Sequence, residues 1–162
     1  MYKLLVDSDA LIKVTKAGFI ETTASAFKIY ITDDVYKEAV EQGRKGLYED
    51  ADKIKSLIDA KRILIIKASK YKKTKPKQDF GKGETSVFQA YKKDYLIVTD
   101  DLSFAVYLNE ESIKNISSAH LLIELLRKGK IKNTEAYFHL EKLKPLIRKE
   151  IYELVKEDIK GE

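Results

Sequence analysis

The chain has 162 residues, 44% of them hydrophobic and 35% charged, which suits one compact domain with a buried core and excludes a disordered chain. It has no cysteine, which excludes disulfides and thiolate metal sites, and its two histidines, His120 and His139, are too few for a typical zinc site. Any metal must then be held mainly by oxygen, which favours Mg²⁺ or Mn²⁺, and the net charge of +5 is compatible with an acidic partner without requiring one.

Short apolar runs alternate with longer helical patterns, the rhythm of an α/β fold with a largely parallel sheet. Tyr2–Val6 reads as the first strand and ends at Asp7. A helix over Ala10–Lys16 follows, stopped by Gly18. Phe27–Thr32 reads as the second strand, and Asp33 or Asp34 is expected to cap a helix carrying Val35, Glu38 and Ala39. Leu47–Ala60 reads as an amphipathic helix with Leu47, Ala51, Ile54 and Ile58 on one stripe.

Arg62–Ile66 is the third predicted strand. Residues Lys67 to Lys82 carry seven lysines, one acid, Pro76 and Gly81, and read as an exposed loop. Glu84–Lys93 is then helical, Tyr95–Thr99 is a fourth strand ending in Asp100 and Asp101, and Ile113–Ile116 is a short fifth. The remainder, about 117–162, reads as wholly helical over Ala119–Lys128, Thr134–Leu143 and Leu146–Ile159. The whole chain is expected to form one domain, 1–162. Charge interrupts the opening run Met1–Lys13, unlike a signal peptide, and no stretch holds the roughly 18 apolar residues of a membrane span. A soluble, cytoplasmic protein is expected.

In a parallel α/β sheet, ligands gather outside the carboxyl ends of the strands. Two predicted strands end directly in aspartate, at Asp7 and at Asp100 and Asp101. Glu38, about a turn into its helix, and Glu84, behind Gly81-Lys82-Gly83, can join them. Carboxylates about 4 Å apart repel by roughly 4 kcal/mol at an effective dielectric near 20, so a cluster calls for a cation or a proton. Oxygen ligation of Mg²⁺ or Mn²⁺ answers that need and suits phosphodiester hydrolysis. Taken singly the acids have plainer roles: Asp9 or Asp101 as a helix cap, Glu84 as a favourable charge in a first helical turn.

These residues resemble the PIN-domain ribonucleases over nearly the whole chain. The family's opening motif resembles Leu5-Val6-Asp7-Ser8-Asp9-Ala10-Leu11-Ile12, its helical glutamate falls on Glu38, its third acid on Glu84 after Gly83, and its fourth on Asp101, with Asp100 able to substitute or assist. The resemblance implies a small α/β/α sandwich with four to five mostly parallel strands and a Mg²⁺- or Mn²⁺-dependent endoribonuclease. Asp7, Glu38, Glu84 and Asp101 are then the catalytic set, and Asp7, Glu84, Asp101, Asp100 and Asp9 the candidate metal ligands. It also implies an RNA substrate, a homodimer and, in the VapBC-type toxins, an antitoxin partner. Asp9 departs from the pattern, standing where the family often has Asn, Ser or Thr. The helical tail from Ala119 resembles a poorly characterised archaeal and bacterial branch of the family.

The lysine loop leads straight into Glu84, and Lys72, Lys73, Lys75, Lys77 and Lys82 are expected to neutralise RNA phosphates, with Tyr71 and Phe80 available to stack on bases. The plainer alternative is a solvated loop. Ser117 and Ser118 are expected to cap the next helix or to hold a metal-bound water, and both histidines read as structural. Asp7-Ser8-Asp9 also has the D-x-D form of haloacid-dehalogenase phosphatases, although Ala10-Leu11-Ile12 lacks what usually follows it. A catalytically inert PIN-like binding module is the remaining alternative.

Overall fold

The computed structural model describes residues 3–46 and 49–162, so the expectations placed on Tyr2 and Leu47 lie outside the described residues. Five parallel strands, β1 (Lys3–Val6), β2 (Lys28–Thr32), β3 (Ile63–Ile66), β4 (Tyr95–Val98) and β5 (Asn115–Ile116), form one sheet in the order β3-β2-β1-β4-β5. The register pairs Leu5 with Tyr30 on one side and with Ile97 on the other. The expected mostly parallel sheet is therefore parallel throughout. Leu4, Leu5, Ile29, Ile31, Ile97 and Val98 are all buried, with no polar alternation, because helices cover both faces.

Right-handed crossovers account for the layers. The connections that step from β1 to β2 to β3 carry α1 (Ser8–Lys16), α2 (Ile20–Ala26), the segment Asp33–Lys45 and α5 (Glu49–Asp59). The return to β4 and β5 carries α6 (Lys82–Ala90) and α7 (Leu102–Glu110) on the opposite face. The segment Asp33–Lys45 is α-helical at Asp33–Tyr36 (α3), π-helical at Lys37–Gln42 and α-helical again at Gly43–Lys45 (α4). The tail forms α8 (His120–Arg127), α9 (Asn133–Leu143) and α10 (Lys149–Lys160), and it packs on the first layer through α8 against α2 and α9 against α1. The result is the three-layer α/β/α sandwich. Among the described residues no helix is long and apolar enough to cross a membrane.

Several boundaries differ from the sequence reading for identifiable reasons. The cap of α3 is Thr32, whose Oγ1 accepts the Val35 amide; Asp33 instead accepts the Ala68 amide beyond β3, at 3.0 Å. The last helix starts at Lys149 rather than Leu146, since Pro145 sits in a 3₁₀ turn over Lys144–Leu146 and Ile147 is extended. Gly18 does end α1, at φ +86°, a conformation suited to glycine. Two helices, α2 and α7, lie where the sequence reading assigned none.

Candidate active site

The strand order reverses between β1 and β4, and that switch point, at the carboxyl ends, is where open α/β sheets form their crevice. Asp7 leaves β1 there. Its amide donates to the Val98 carbonyl (3.1 Å), which locks it to β4, and its extended backbone makes it the N-cap of α1. Oδ1 accepts the Ala10 amide at 2.9 Å. The residue is only 1% exposed, and Oδ2 is buried with no hydrogen-bond partner. Loss of water disfavours the charged form and pushes the pKa up to about 8. The Thr99 hydroxyl and the Ala10 amide oppose this rise, while the charges of Asp100 and Glu84 add to it. Thr99 acts as a nearby dipole rather than a bonded partner, since Oδ2 has none.

At the end of β4, Thr99 Oγ1 accepts the Asp101 amide (3.1 Å). Asp100 turns inward: Oδ1 accepts the Ser118 amide at 2.8 Å, and Oδ2 is buried without a hydrogen bond. Lys13, on α1, stands 3.7 Å from that oxygen and 2.7 Å from Asp9 Oδ2. Asp101 turns outward and caps α7, with Oδ1 accepting the Phe104 amide at 2.7 Å. The plain capping role expected of Asp101 is thus real, and it uses one oxygen only. Asp9 is no cap; it lies in the first turn of α1, its side chain 57% exposed.

Glu38 comes from the π-helical segment and reaches Ser8, whose hydroxyl donates to Oε2 at 2.7 Å. Its carboxylate rests on the backbone of Gly83, where an added Cβ would meet Oε1 at 2.7 Å and Cδ at 3.3 Å. Any side chain at position 83 would therefore displace it. Glu84 opens α6 and is half-buried; burial raises its pKa first, and then the carboxylates of Glu38, Asp101 and Asp9. Through these mutual repulsions Asp7, Asp9, Glu38, Glu84, Asp100 and Asp101 form one electrostatic neighbourhood.

Among the described residues, however, no three Asp, Glu or His side chains close into a ready-made metal cage. Five of the six acids are held by a protein donor: Asp7 and Asp101 by helix amides, Glu38 by Ser8, Asp9 by Lys13, and Asp100 by the Ser118 amide and Lys13. The fit to a divalent cation rests instead on Oδ2 of Asp7, which is buried with neither a hydrogen bond nor an ion pair, and on Oδ2 of Asp100, which is buried without a hydrogen bond and has only the Lys13 ammonium at 3.7 Å. Buried polar atoms are nearly always satisfied, so a bare carboxylate oxygen at this crevice is compatible with a hard cation.

The lysine loop behaves differently. Lys72, Lys73, Lys75, Lys77 and Lys82 are all exposed, as expected, but the loop is anchored. The amides of Lys72 and Lys73 donate to the Gln89 carbonyl at 3.0 Å, and that of Lys77 donates to the Tyr107 hydroxyl at 3.0 Å. Lys73 lies over the Phe88 ring. Among the described residues no ion pair or hydrogen bond joins these lysines to the acids; Lys82 alone adjoins them in sequence, two positions before Glu84. Tyr71 and Phe80 are not free to stack on bases. The Tyr71 hydroxyl is buried, and the Phe80 ring packs edge-on against Phe104 and Tyr107 at 5.2 and 5.3 Å between centroids.

The sequence reading missed Lys13 and the role of Ser8. Lys13 was legible as the i+4 partner of Asp9 on a helix; the Ser8–Glu38 contact spans thirty positions and had no local signal. Ser117 Oγ accepts the His120 amide (3.2 Å) and contacts the ring Nδ1 (2.8 Å), so it does serve the start of α8. His139 is structural, its Nδ1 on the Ala17 carbonyl at 2.8 Å. His120 lines a cleft of about 480 Å³ that shares Asp100 and Asp101 with the acidic edge.

Compared with known proteins, residues 3–160 match a family model described as a PIN domain. No curated protein and no solved structure matches the chain.

Proposed function

The chain belongs to the PIN-domain family, whose fold is of nuclease type, and from that premise we propose that it is a divalent-metal-dependent endoribonuclease. The observation that carries this reading is the buried, unpaired Oδ2 of Asp7 at the β1–β4 switch point, with Asp100, whose Oδ2 has no hydrogen bond and only Lys13 for a charge partner, adding to its electrostatic environment. Asp7, Glu84 and Asp101, with Asp100 and Asp9 in support, are the residues proposed to hold Mg²⁺ or Mn²⁺. Such a cation supplies charge neutralisation and Lewis-acid polarisation of a phosphate oxygen.

The chain's own groups then divide the remaining work. Asp7 is fixed by its helix cap and by the Val98 carbonyl, so its free oxygen is preorganised toward the crevice. Glu38, steered by Ser8 and Gly83, and Glu84, whose proton is held more tightly than usual by burial and by neighbouring carboxylates, are suited to orient water and to pass a proton. The exposed lysines bring positive charge to the RNA backbone. A homodimer would cover apolar side chains such as Leu102 and Val106, exposed one turn apart on α7. The phosphatase alternative loses its main support here: Asp9, its proposed general acid, is turned outward onto Lys13.

The test is cleavage of single-stranded and structured RNA with Mn²⁺ or Mg²⁺, with EDTA, and by Asp7→Asn, alongside calorimetric Mn²⁺ binding. Wild type should cut RNA only with metal, and Asp7→Asn should lose both cleavage and Mn²⁺ binding. Cleavage that survives EDTA, or Mn²⁺ binding that survives Asp7→Asn, would overturn the reading. Turnover of phosphomonoesters without RNA cleavage would favour the phosphatase, and metal binding absent from wild type an inert module.

A further inference from the structure

The cleft beside the acidic edge shares Asp100 and Asp101 with the chemistry above, which leaves its other walls unused. One wall is the strand end carrying Asp100 and Asp101, together with Lys13; the facing wall is Leu146, Ile147 and Arg148 in the turn that leads into α10. Its volume of about 480 Å³ falls within the range of small-molecule sites, roughly 300 to 1,000 Å³. Ile116, Leu146, Ile147 and Ile151 give it apolar surfaces, and each of these side chains is only partly buried although it belongs to the cleft. Polar side chains line the rest of it, among them Asn115, Ser117 and His120 beside the two aspartates and Lys13. The Asn115 amide nitrogen is engaged by Asn109 Oδ1 (2.8 Å) and the Ile113 carbonyl (3.1 Å), which leaves its Oδ1 as an acceptor. Arg148 is exposed at the rim and, among the described residues, has no ion-pair partner.

A cleft with an apolar patch among polar side chains, a guanidinium without an ion-pair partner at its mouth and a wall shared with the acids matches one feature of RNA. A single-stranded nucleotide splays its base away from the backbone, and proteins stack such bases on aromatic or guanidinium planes or pack them between apolar side chains, while arginine contacts the adjoining phosphate. We propose that this cleft is a subsite for the base of the nucleotide next to the scissile phosphate, with Ile147 and Ile151 packing on the base and Arg148 on its phosphate. The proposal rests on the nuclease reading for which bond is cut, but base binding itself can be measured without catalysis.

The experiment is methyl NMR of the full chain, without metal, titrated in turn with AMP, CMP, GMP, UMP and ribose 5-phosphate. At least one nucleotide should shift the methyls of Ala105, Ile147 and Ile151, and ribose 5-phosphate should not. Ala105→Trp, which fills the cleft, should abolish the shifts while the thermal unfolding transition stays cooperative; Ile147→Ala, which removes packing surface without adding bulk, should weaken binding several-fold. Asp7→Asn should bind nucleotides as wild type does, which separates failure of the acidic site from failure of this one. In RNA digests, the identity of the base flanking each cut should be biased, and Ile147→Ala should flatten that bias. The proposal is overturned if no nucleotide moves the cleft methyls, if ribose 5-phosphate moves them equally, or if cleavage is biased and the bias survives Ile147→Ala.

Discussion

Asp7 and Asp101 are the same local device placed in two different environments. Asp7 is the first residue past β1 and Asp101 the third past β4, and each caps the following helix through Oδ1 on the amide three residues on, at 2.9 Å for Asp7 and 2.7 Å for Asp101. One is buried with its second oxygen bare, the other faces solvent. The capping bond contributes alike in both places, on the order of 1 kcal/mol. What separates them is desolvation: Asp7 is held protonated up to a pKa of about 8, and burial is the chief cause. A cation bound at Asp7 would therefore have to displace a proton.

The largest expected effect follows from that contrast. Asp7→Asn keeps the cap, because asparagine caps as well as aspartate, but removes the charge that a cation would satisfy. RNA cleavage should fall about 1,000-fold, corresponding to roughly 4 kcal/mol of lost stabilisation. Asp101→Asn should fall less, about 10- to 100-fold, because exposed neighbours and water can take its place. Equal losses in a steady-state cleavage assay would erase the distinction, and full activity of Asp101→Asn would remove that residue from the mechanism.

Stability should separate the two residues in the opposite sense. The folded-state pKa of Asp7 is raised, so the native protein binds more protons than the unfolded chain between about pH 4 and 8. Metal-free wild type should then lose stability as pH rises through that window, by a few kcal/mol at about 1.4 kcal/mol for each pH unit. Asp7→Asn should lose most of that slope, keeping the share that Glu84 contributes through its own raised pKa, and should be more stable than wild type at pH 8.5, whereas Asp101→Asn should stay close to the wild-type slope. Mn²⁺ should restore wild type at high pH and leave Asp7→Asn unmoved. Denaturant melts at three pH values decide it; a wild-type curve that rises between pH 4 and 8 contradicts the burial argument.

Part of this contrast is legible in the amino-acid sequence. Apolar runs ending in aspartate locate both acids, and Gly83 before Glu84 announces a close approach, which proves to be the Glu38 carboxylate. Burial is not legible, since Asp7 and Asp101 share the same local pattern and differ only in what the rest of the chain lays over them. Helix α2, Ile-Glu-Thr-Thr-Ala-Ser-Ala, has weak helical propensity and no side-chain cap, so its stability comes from packing against β2 and α8. Phe80 sits in a lysine-rich loop that reads as solvated, yet two distant aromatic rings on α7 hold it inward. Gly83→Ala tests the legible part. Its Cβ would stand 2.7 Å from Glu38 Oε1, which can swing away at little cost to the fold but loses its seat beside Ser8. About a tenfold loss of cleavage with a melting temperature close to wild type is expected; an unchanged rate would mean that Glu38 is not held in its working position by this contact.

The smallest effect is expected at Lys82, and its sign is informative. This lysine is the first residue of α6, where the positive end of the helix dipole opposes a cation, and it is exposed beside the acidic edge. If it served the fold alone, replacing it would be neutral or harmful. The geometry predicts otherwise: Lys82→Ala should raise stability by a few tenths of a kcal/mol while weakening RNA binding and lowering the slope of log K against log salt by about 0.7 to 0.9. Lys73→Ala provides the control, because that side chain lies over the Phe88 ring and its removal should cost packing as well as charge. A lysine placed against its own helix dipole costs the fold stability, and a salt slope unchanged by Lys82→Ala would show that its charge does not meet RNA phosphate.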